Sequence, residues 1–267
     1  MFLDYQIKET WLHKANPSIK LLFFIFLFIG VLFIHNPNVM LNFLFIVIFL
    51  LLFFTGHPSK YVLLFFLPFL LLFVSSSTSM MFFGKGDTTW FKWGLVHITE
   101  ESFFRGLHIG MRALFFAILG LIFALTTRPA YLFYSLMQQL KLPAKYAYSF
   151  MAAIRLLPIM FEEIQTLRHA LIVRGVHHRK GIKGFYEKFR FYAIPLLAQS
   201  IRRAQRIAVA MEAKRFSQVS ERSYYYVITT SKFDLFLILF FLLSLLLGFY
   251  LGIVQPYFQV VDVRYYG

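Results

Sequence analysis

No cysteine occurs among the 267 residues, which excludes disulfides, thiolate metal sites and cysteine nucleophiles. Charge is scarce: 15% of the residues are charged, and only 12 are acidic against 27 Lys and Arg. From Leu21 to Ser59, 39 residues pass without a Lys, Arg, Asp or Glu. The membrane spans are expected to contain no buried carboxylate, which argues against proton-coupled transport by this chain alone. No Gly-x-x-x-x-Gly-Lys-[Ser/Thr] run is present, and residues 82–87 (FFGKGD) lack the required glycine spacing, so the chain itself is not expected to hydrolyse ATP.

What the chain has in excess is apolar surface: 59% of the residues are hydrophobic and 36 are Phe. One span needs about 20 apolar residues. The 39-residue stretch, interrupted only by His35-Asn36-Pro37-Asn38, is therefore a hairpin of two short spans. Tyr61 to Gly84 supplies a third, kinked at Pro68. Ala113 to Thr127 is the apolar part of a fourth, and Leu235 to Val261 is a fifth. The expected fold class is an all-α integral membrane protein with about five transmembrane helices. Asp4, Glu9 and the immediate second apolar run argue against a cleaved signal peptide.

The net charge of +15 is concentrated in one place. Between Arg128 and Arg222 lie 17 of the 27 Lys and Arg and 5 of the 12 acidic residues. Cationic excess marks the cytoplasmic side. Lys8, Lys14 and Lys20 before the first span, Lys60 before the third and Arg128 after the fourth agree with it. The expected organisation is a four-span membrane domain (1–127), a cytoplasmic region (128–231), and a last span with its tail (232–267). The amino terminus lies inside and the carboxyl terminus outside.

The cytoplasmic region is too polar for lipid yet periodic. In the run from Tyr146 to Val173, Leu157, Met160, Ile164, Leu167 and Leu171 recur at steps of three and four, with Glu162 and Glu163 mostly off that face. Leu197, Ile201, Ala204, Ala208 and Met211 repeat the design, with Gln199, Arg202, Arg203 and Arg206 opposite. Each run has a proline near its start, Pro158 and Pro195. Each ends in small or apolar residues followed by cations: Val173-Arg174-Gly175, then Ala213-Lys214-Arg215. Arg before a capping Gly is an ordinary helix stop, and basic helices also suit anionic lipid. Cationic tips equally suit acidic pockets on a partner.

Catalytic constellations are poor. Glu162 and Glu163 point about 100° apart on a helix and cannot share a proton. His177-His178 sits beside Arg179 and Lys180, an unfavourable field for a metal cation. The hydroxyls from Ser75 to Ser79 have no base positioned to activate a nucleophile. No catalytic or metal residue is expected.

Residues 11–22 (WLHKANPSIKLL), 140–164 (LKLPAKYAYSFMAAIRLLPIMFEEI) and the two helix ends ALIVRGV and AVAMEAKRF resemble, in order, the motifs of the transmembrane T component of energy-coupling factor (ECF) transporters, the EcfT/CbiQ family. The resemblance spans nearly the whole chain. It implies a non-catalytic subunit of an ATP-driven importer in the prokaryotic cell (inner) membrane. The subunit carries no cofactor; ATP and Mg are bound by two ABC-type ATPases. Two long cytoplasmic coupling helices between the fourth and fifth spans dock on them, and one membrane-embedded S component binds the substrate. The cargo is a vitamin or a metal ion, and this chain looks most like the branch for thiamine or its pyrimidine precursor. Carried over by position, Val173, Arg174 and Gly175 form the first ATPase-binding motif and Ala213, Lys214 and Arg215 the second. There Arg215 stands where a small residue is usual, so either Lys214 or Arg215 can be the second docking cation.

Gly106, Gly110, Ala113, Ala117, Gly120 and Ala124 make a small-residue stripe on the fourth span, which suits close helix packing in lipid. The stripe serves either contacts within the chain or a face for the S component. His108 and Arg112 lie off it, lining a polar cleft or reaching an interface. Two other classes share the charge pattern: a membrane enzyme acting on anionic lipids, and a basic anchor protein. No nucleic-acid partner is expected beyond what diffuse charge would give an anchor.

Overall fold

A computed structural model describes residues 8–84, 86, 88–93, 96–176, 181–216, 223–260 and 262–264. The chain divides into two compact units, residues 1–135 with 228–267 and residues 136–227.

The first unit is the membrane body. A short helix α1 (Trp11–Lys14) leads into α2 (Pro17–Leu32), α3 (Pro37–Phe54) and α4 (Ser59–Phe83). A hairpin of β1 (Thr89–Trp93) and β2 (Val96–Thr99) precedes α5 (Glu100–Thr126) and α6 (Pro129–Gln139), whose last residues already belong to the second unit, and α9 (Lys232–Val254) follows that unit. Local chemistry starts each span. Asn16 and Asn36 accept from Ser18 and Asn38, with Pro17 and Pro37 in the first helical position, where the missing N–H costs nothing. Thr99 and Ser231 close capping boxes on α5 and α9.

Four helices, α3, α4, α5 and α9, are long and apolar enough to cross a membrane, and α2 adds a shorter apolar helix of 16 residues. At 1.5 Å per residue α2 is only ~24 Å long. This is a multi-pass membrane protein with four to five spans. The fourth span starts 13 residues before the apolar stretch that betrayed it, because the capped first turns of α5 are polar. The fifth ends at Val254, short of the expected Val261.

Helix α5 packs chiefly against α4 and α3, and α3 against α9. On α9, Gly248 faces the Phe43 ring and Gly252 faces Val39, while Asn42 donates to the Gly248 carbonyl at 3.2 Å. These two glycines let α3 and α9 approach closely, a form of packing that lipid-embedded helices favour.

Two expectations about charge are corrected. Lys20 does not merely precede the first span: it lies within α2 and is 1% exposed. Nor are the spans free of buried carboxylates, since Asp234 in the first turn of α9 and Glu101 in the first turn of α5 are both buried. Asp234 adjoins the apolar stretch of its span, whereas Glu101 sits twelve residues before Ala113, in the polar first turns of α5.

The second unit is built from α7 (Ala144–Val173) and α8 (Ile182–Ala213). Helix α7 starts within two residues of the expected Tyr146 and α8 starts well before its apolar run, and Pro158 and Pro195 lie mid-helix rather than near the start.

Candidate functional site: two matched helix tips

Helices α7 and α8 run antiparallel. Tyr148 near the start of α7 meets Phe216 beyond the end of α8, edge to face with ring centroids 5.2 Å apart. Midway, Glu163 Oε1 accepts from Arg203 Nη2 and from Gln199 Nε2 at 2.9 Å, and Ser200 Oγ reaches Met160 Sδ at 3.7 Å. The ion pair is half-buried, with side-chain exposures of 25% and 15%.

This corrects the expected faces. Glu163, Gln199 and Arg203 lie between the helices, whereas Leu197 and Ile201 are 60% and 58% exposed. Ala204 and Ala208 are exposed, and with Met211 they line a groove against Ala152 and Leu156 of α7. A polar pair satisfied at the crossing can occupy an inner position. Leu197 and Ile201, the first part of the apolar stripe on α8, are consequently left facing outward.

The two helices end alike. At α7, Gly175 N–H donates to Ile172 O at 3.0 Å and Val176 N–H to Leu171 O at 3.1 Å. Forty residues on, Arg215 N–H donates to Glu212 O at 2.8 Å and Phe216 N–H to Met211 O at 3.0 Å. Both are complete Schellman caps. Each needs a left-handed residue at the same position, and Gly175 (φ 66°) and Arg215 (φ 52°) occupy it. Glycine takes this conformation freely; a residue with a Cβ adopts it at a cost of about 1–2 kcal/mol. The caps therefore align Arg174 with Lys214, and Gly175 with Arg215. Val173, Arg174, Gly175, Ala213, Lys214 and Arg215 are all exposed.

The two ends stand equally far from the crossing, since Arg174 follows Glu163 and Lys214 follows Arg203 by eleven residues. At 1.5 Å per residue each arm is ~16 Å long. The two cations thus sit at opposite ends of an antiparallel pair. His177 and His178 lie outside the described residues. Among the described residues no group of three or more His, Asp or Glu side chains gathers as a metal site.

The small-residue stripe divides in two. A Cβ on Gly106 would meet Met81 and the Ser77 carbonyl at 2.7 Å, and one on Gly110 would collide with Ser77 Oγ. That half is packed against α4. Ala113 and Ala117 are half-buried, while a methyl group added to Gly120 would meet nothing within 4 Å and Ala124 is exposed. Gly110→Ala is expected to lower the unfolding temperature in detergent by roughly 5 °C, as overpacking of a tight interface costs about 1–3 kcal/mol. Gly120→Ala should leave it unchanged; equal shifts for both would show that α4 does not seat on Gly110.

Sequence reasoning missed a buried polar knot in the membrane unit. Lys20 Nζ donates to the carbonyls of Leu12 (2.5 Å) and Thr126 (3.3 Å) and to the hydroxyls of Thr126 and Thr127 (both 3.2 Å). Asp234 accepts from Asn16 N–H and Ser231 N–H, both at 2.6 Å, and Ser135 bonds Asn16 and Ser18 at 2.6 Å. Its signals were local: Asn16-Pro17 before an apolar run, and Ser231-x-x-Asp234 as a capping box. Nearby, Thr10 N–H donates to His13 Nδ1 at 3.3 Å. Burial, and then the Lys20 cation, hold the His13 imidazole below its ordinary range, consistent with a neutral, accepting ring.

The family profile described as CbiQ, cobalt transport protein, matches residues 8–226. The energy-coupling factor transporter transmembrane protein EcfT of Brevibacillus brevis is 26% identical over 221 residues, covering 80% of this chain and 83% of that relative. The protein of the same description from Lacticaseibacillus paracasei is 24% identical over 236 residues, covering 85% and 88%. That of Limosilactobacillus fermentum is 29% identical over 164 residues, covering 58% and 61%.

Proposed function

The chain belongs to the CbiQ family of cobalt transport proteins, and on that premise we propose that it is the transmembrane coupling subunit of an ECF-type ABC importer. The observation that carries the reading is the matched pair of exposed cationic tips, capped alike and equally far from their crossing. Two tips at opposite ends suit two ATPases rather than one. Each tip offers a cation to an acidic group of its ATPase, a contact that sets register and orientation. ATP and Mg belong to those partners, and this subunit is non-catalytic. ATP-driven closure moves the tips, and α7 and α8 pass the motion to the membrane unit, where an S component reorients. Such coupling requires contacts that differ between the two states.

In this reading Lys214 is the second docking cation, because the caps put it where Arg174 stands. Arg215 holds the capping position that glycine holds at the other end. The open half of the α5 stripe, Gly120 and Ala124, is a face for the S component. That partner selects the cargo, a vitamin of the thiamine or pyrimidine-precursor type or a metal ion. The amino terminus and the second unit are cytoplasmic and the carboxyl terminus lies outside, as the cationic bias requires.

The test is co-purification from detergent-solubilised membranes with co-expressed ABC ATPases of the same cell. Wild type should capture them, and the variant carrying Arg174→Glu, Lys214→Glu and Arg215→Glu should insert normally but lose most of the capture. Arg215→Gly alone should keep it and Lys214→Glu alone should not; the reverse pair of results makes Arg215 the contact. Equal capture by wild type and triple variant, or none by either, returns the chain to the lipid-enzyme and anchor readings.

A further inference from the structure

At the end of the membrane unit away from the Lys20 knot, a cleft of about 370 Å³ is lined by His35, Met80, Arg105, His108, Arg112 and Arg264, among others. Its origin is the short first hairpin. Lys20 bonds Thr126 and, fourteen residues further along each helix, the Ile34 carbonyl accepts from Arg112 Nη2 at 2.8 Å. Helices α2 and α5 therefore run level up to this point. From there α5 continues twelve residues to Glu100, ~18 Å, with nothing of α2 beside it. The tail closes part of the gap, with Val263 N–H donating to His35 O at 3.2 Å and Arg105 Nε to Val263 O at 3.0 Å.

The cleft is cationic. Asp262 holds Arg264 through both carboxylate oxygens, at 3.2 and 2.8 Å, which neutralises that arginine. Among the described residues no carboxylate lines the cleft, whereas Arg105 and Arg112 both do. His108 is 1% exposed, and its Nε2 lies 3.0 Å from Arg112 Nη2 and 3.1 Å from the Ile34 carbonyl that Arg112 already occupies. A guanidinium only donates, so in the tautomer that answers this contact Nε2 accepts from it and the ring proton sits on Nδ1. That buried Nδ1 has no partner, nor has the buried Nε of Arg112. The Arg112 Nε–H is a donor in every state, and His108 Nδ1 is one in that tautomer. Buried donors in a cationic cleft call for an anion with several oxygens. Arg112 also lies deep in a span, where a cation persists by pairing.

We propose that this cleft binds a phosphate group, that of an anionic phospholipid headgroup, with Arg112, His108 and Arg105 as its donors. The lipid source follows from the surroundings: span residues of α4 and α5 line the cleft beside the α2–α3 turn and the tail, and Ile109, which also lines it, is 39% exposed beside the arginines, suited to an acyl chain.

Native mass spectrometry of the full chain, purified in detergent and titrated with phosphatidylglycerol, phosphatidylcholine or inorganic phosphate, tests this. Wild type should retain one phosphatidylglycerol roughly tenfold more tightly than phosphatidylcholine, whose phosphate carries a choline cation that Arg105 and Arg112 repel, a factor equal to about 1.4 kcal/mol. Arg112→Gln and Arg105→Gln should each lose that preference, while Arg202→Gln on α8, which removes diffuse basic charge, should keep it. If Arg112→Gln is not recovered folded, the Arg105→Gln comparison decides. Wild-type retention in the cleft variants, or loss in Arg202→Gln alone, overturns the site. Displacement of the lipid by millimolar inorganic phosphate overturns the lipid source and leaves the free anion as ligand.

Discussion

Lys20→Ala is expected to remove most of the folded protein from detergent extracts and to lower the unfolding temperature of what remains by roughly 10 °C. The ammonium group serves four acceptors belonging to α1, the end of α5 and the following residue. Deleting it strands buried carbonyls, at about 1–3 kcal/mol each, and opens a cavity where the stem had packed, a loss comparable to a large-to-small core change of about 2–5 kcal/mol. Lys20→Met separates the two losses, since it keeps most of the volume and removes the donors. Thermal unfolding followed by size-exclusion chromatography measures both variants. A Lys20→Met protein as stable as wild type would assign the whole effect to packing and none to the amine.

The second large effect is expected at the crossing of α7 and α8. Glu163→Arg sets two guanidinium groups together in a half-buried position and should cut substrate uptake by the assembled importer roughly tenfold. Restoring the complement in reverse, Glu163→Arg with Arg203→Glu, should recover about half or more of it. The coupling free energy expected for a pair in direct contact is about 0.5–3 kcal/mol. Uptake in reconstituted vesicles reads the result. A double variant as impaired as the single one would mean that the pair does not hold the crossing.

Much of the membrane unit was legible because lipid imposes composition directly: charge-free stretches of the right length and cationic flanks identify spans without any knowledge of their neighbours. The two tips were legible as residue types and as resemblance to the EcfT/CbiQ family. The faces of α7 and α8 were not. Periodicity assigns apolar residues inward, whereas here Glu163 and Arg203 satisfy one another at the crossing and Leu197 and Ile201 are turned out. No single-helix pattern contains that information. The Asn16–Asp234 bond links residues 218 apart, so only its two local caps could be anticipated. Arg215 was misleading for another reason: a left-handed cap is signalled by glycine, and its only marker here is the hydrogen-bond pattern it shares with Gly175.

The equal distance of Arg174 and Lys214 from the Glu163–Arg203 contact has a mechanical meaning. A pair of crossed rods pinned at corresponding points behaves as a pair of scissors: one angular change at the pin sweeps both ends through arcs of the same length. With arms of ~16 Å, set by the helical rise, a change of ~10° in the crossing angle displaces each tip by ~3 Å. Two ATPases closing symmetrically would therefore meet the same resistance at each end, and neither would run ahead of the other. Unequal arms would convert the same closure into a tilt of the pair. Inserting one helical turn into α8 between Arg203 and Lys214 alone would lengthen one blade by ~5 Å and break that balance.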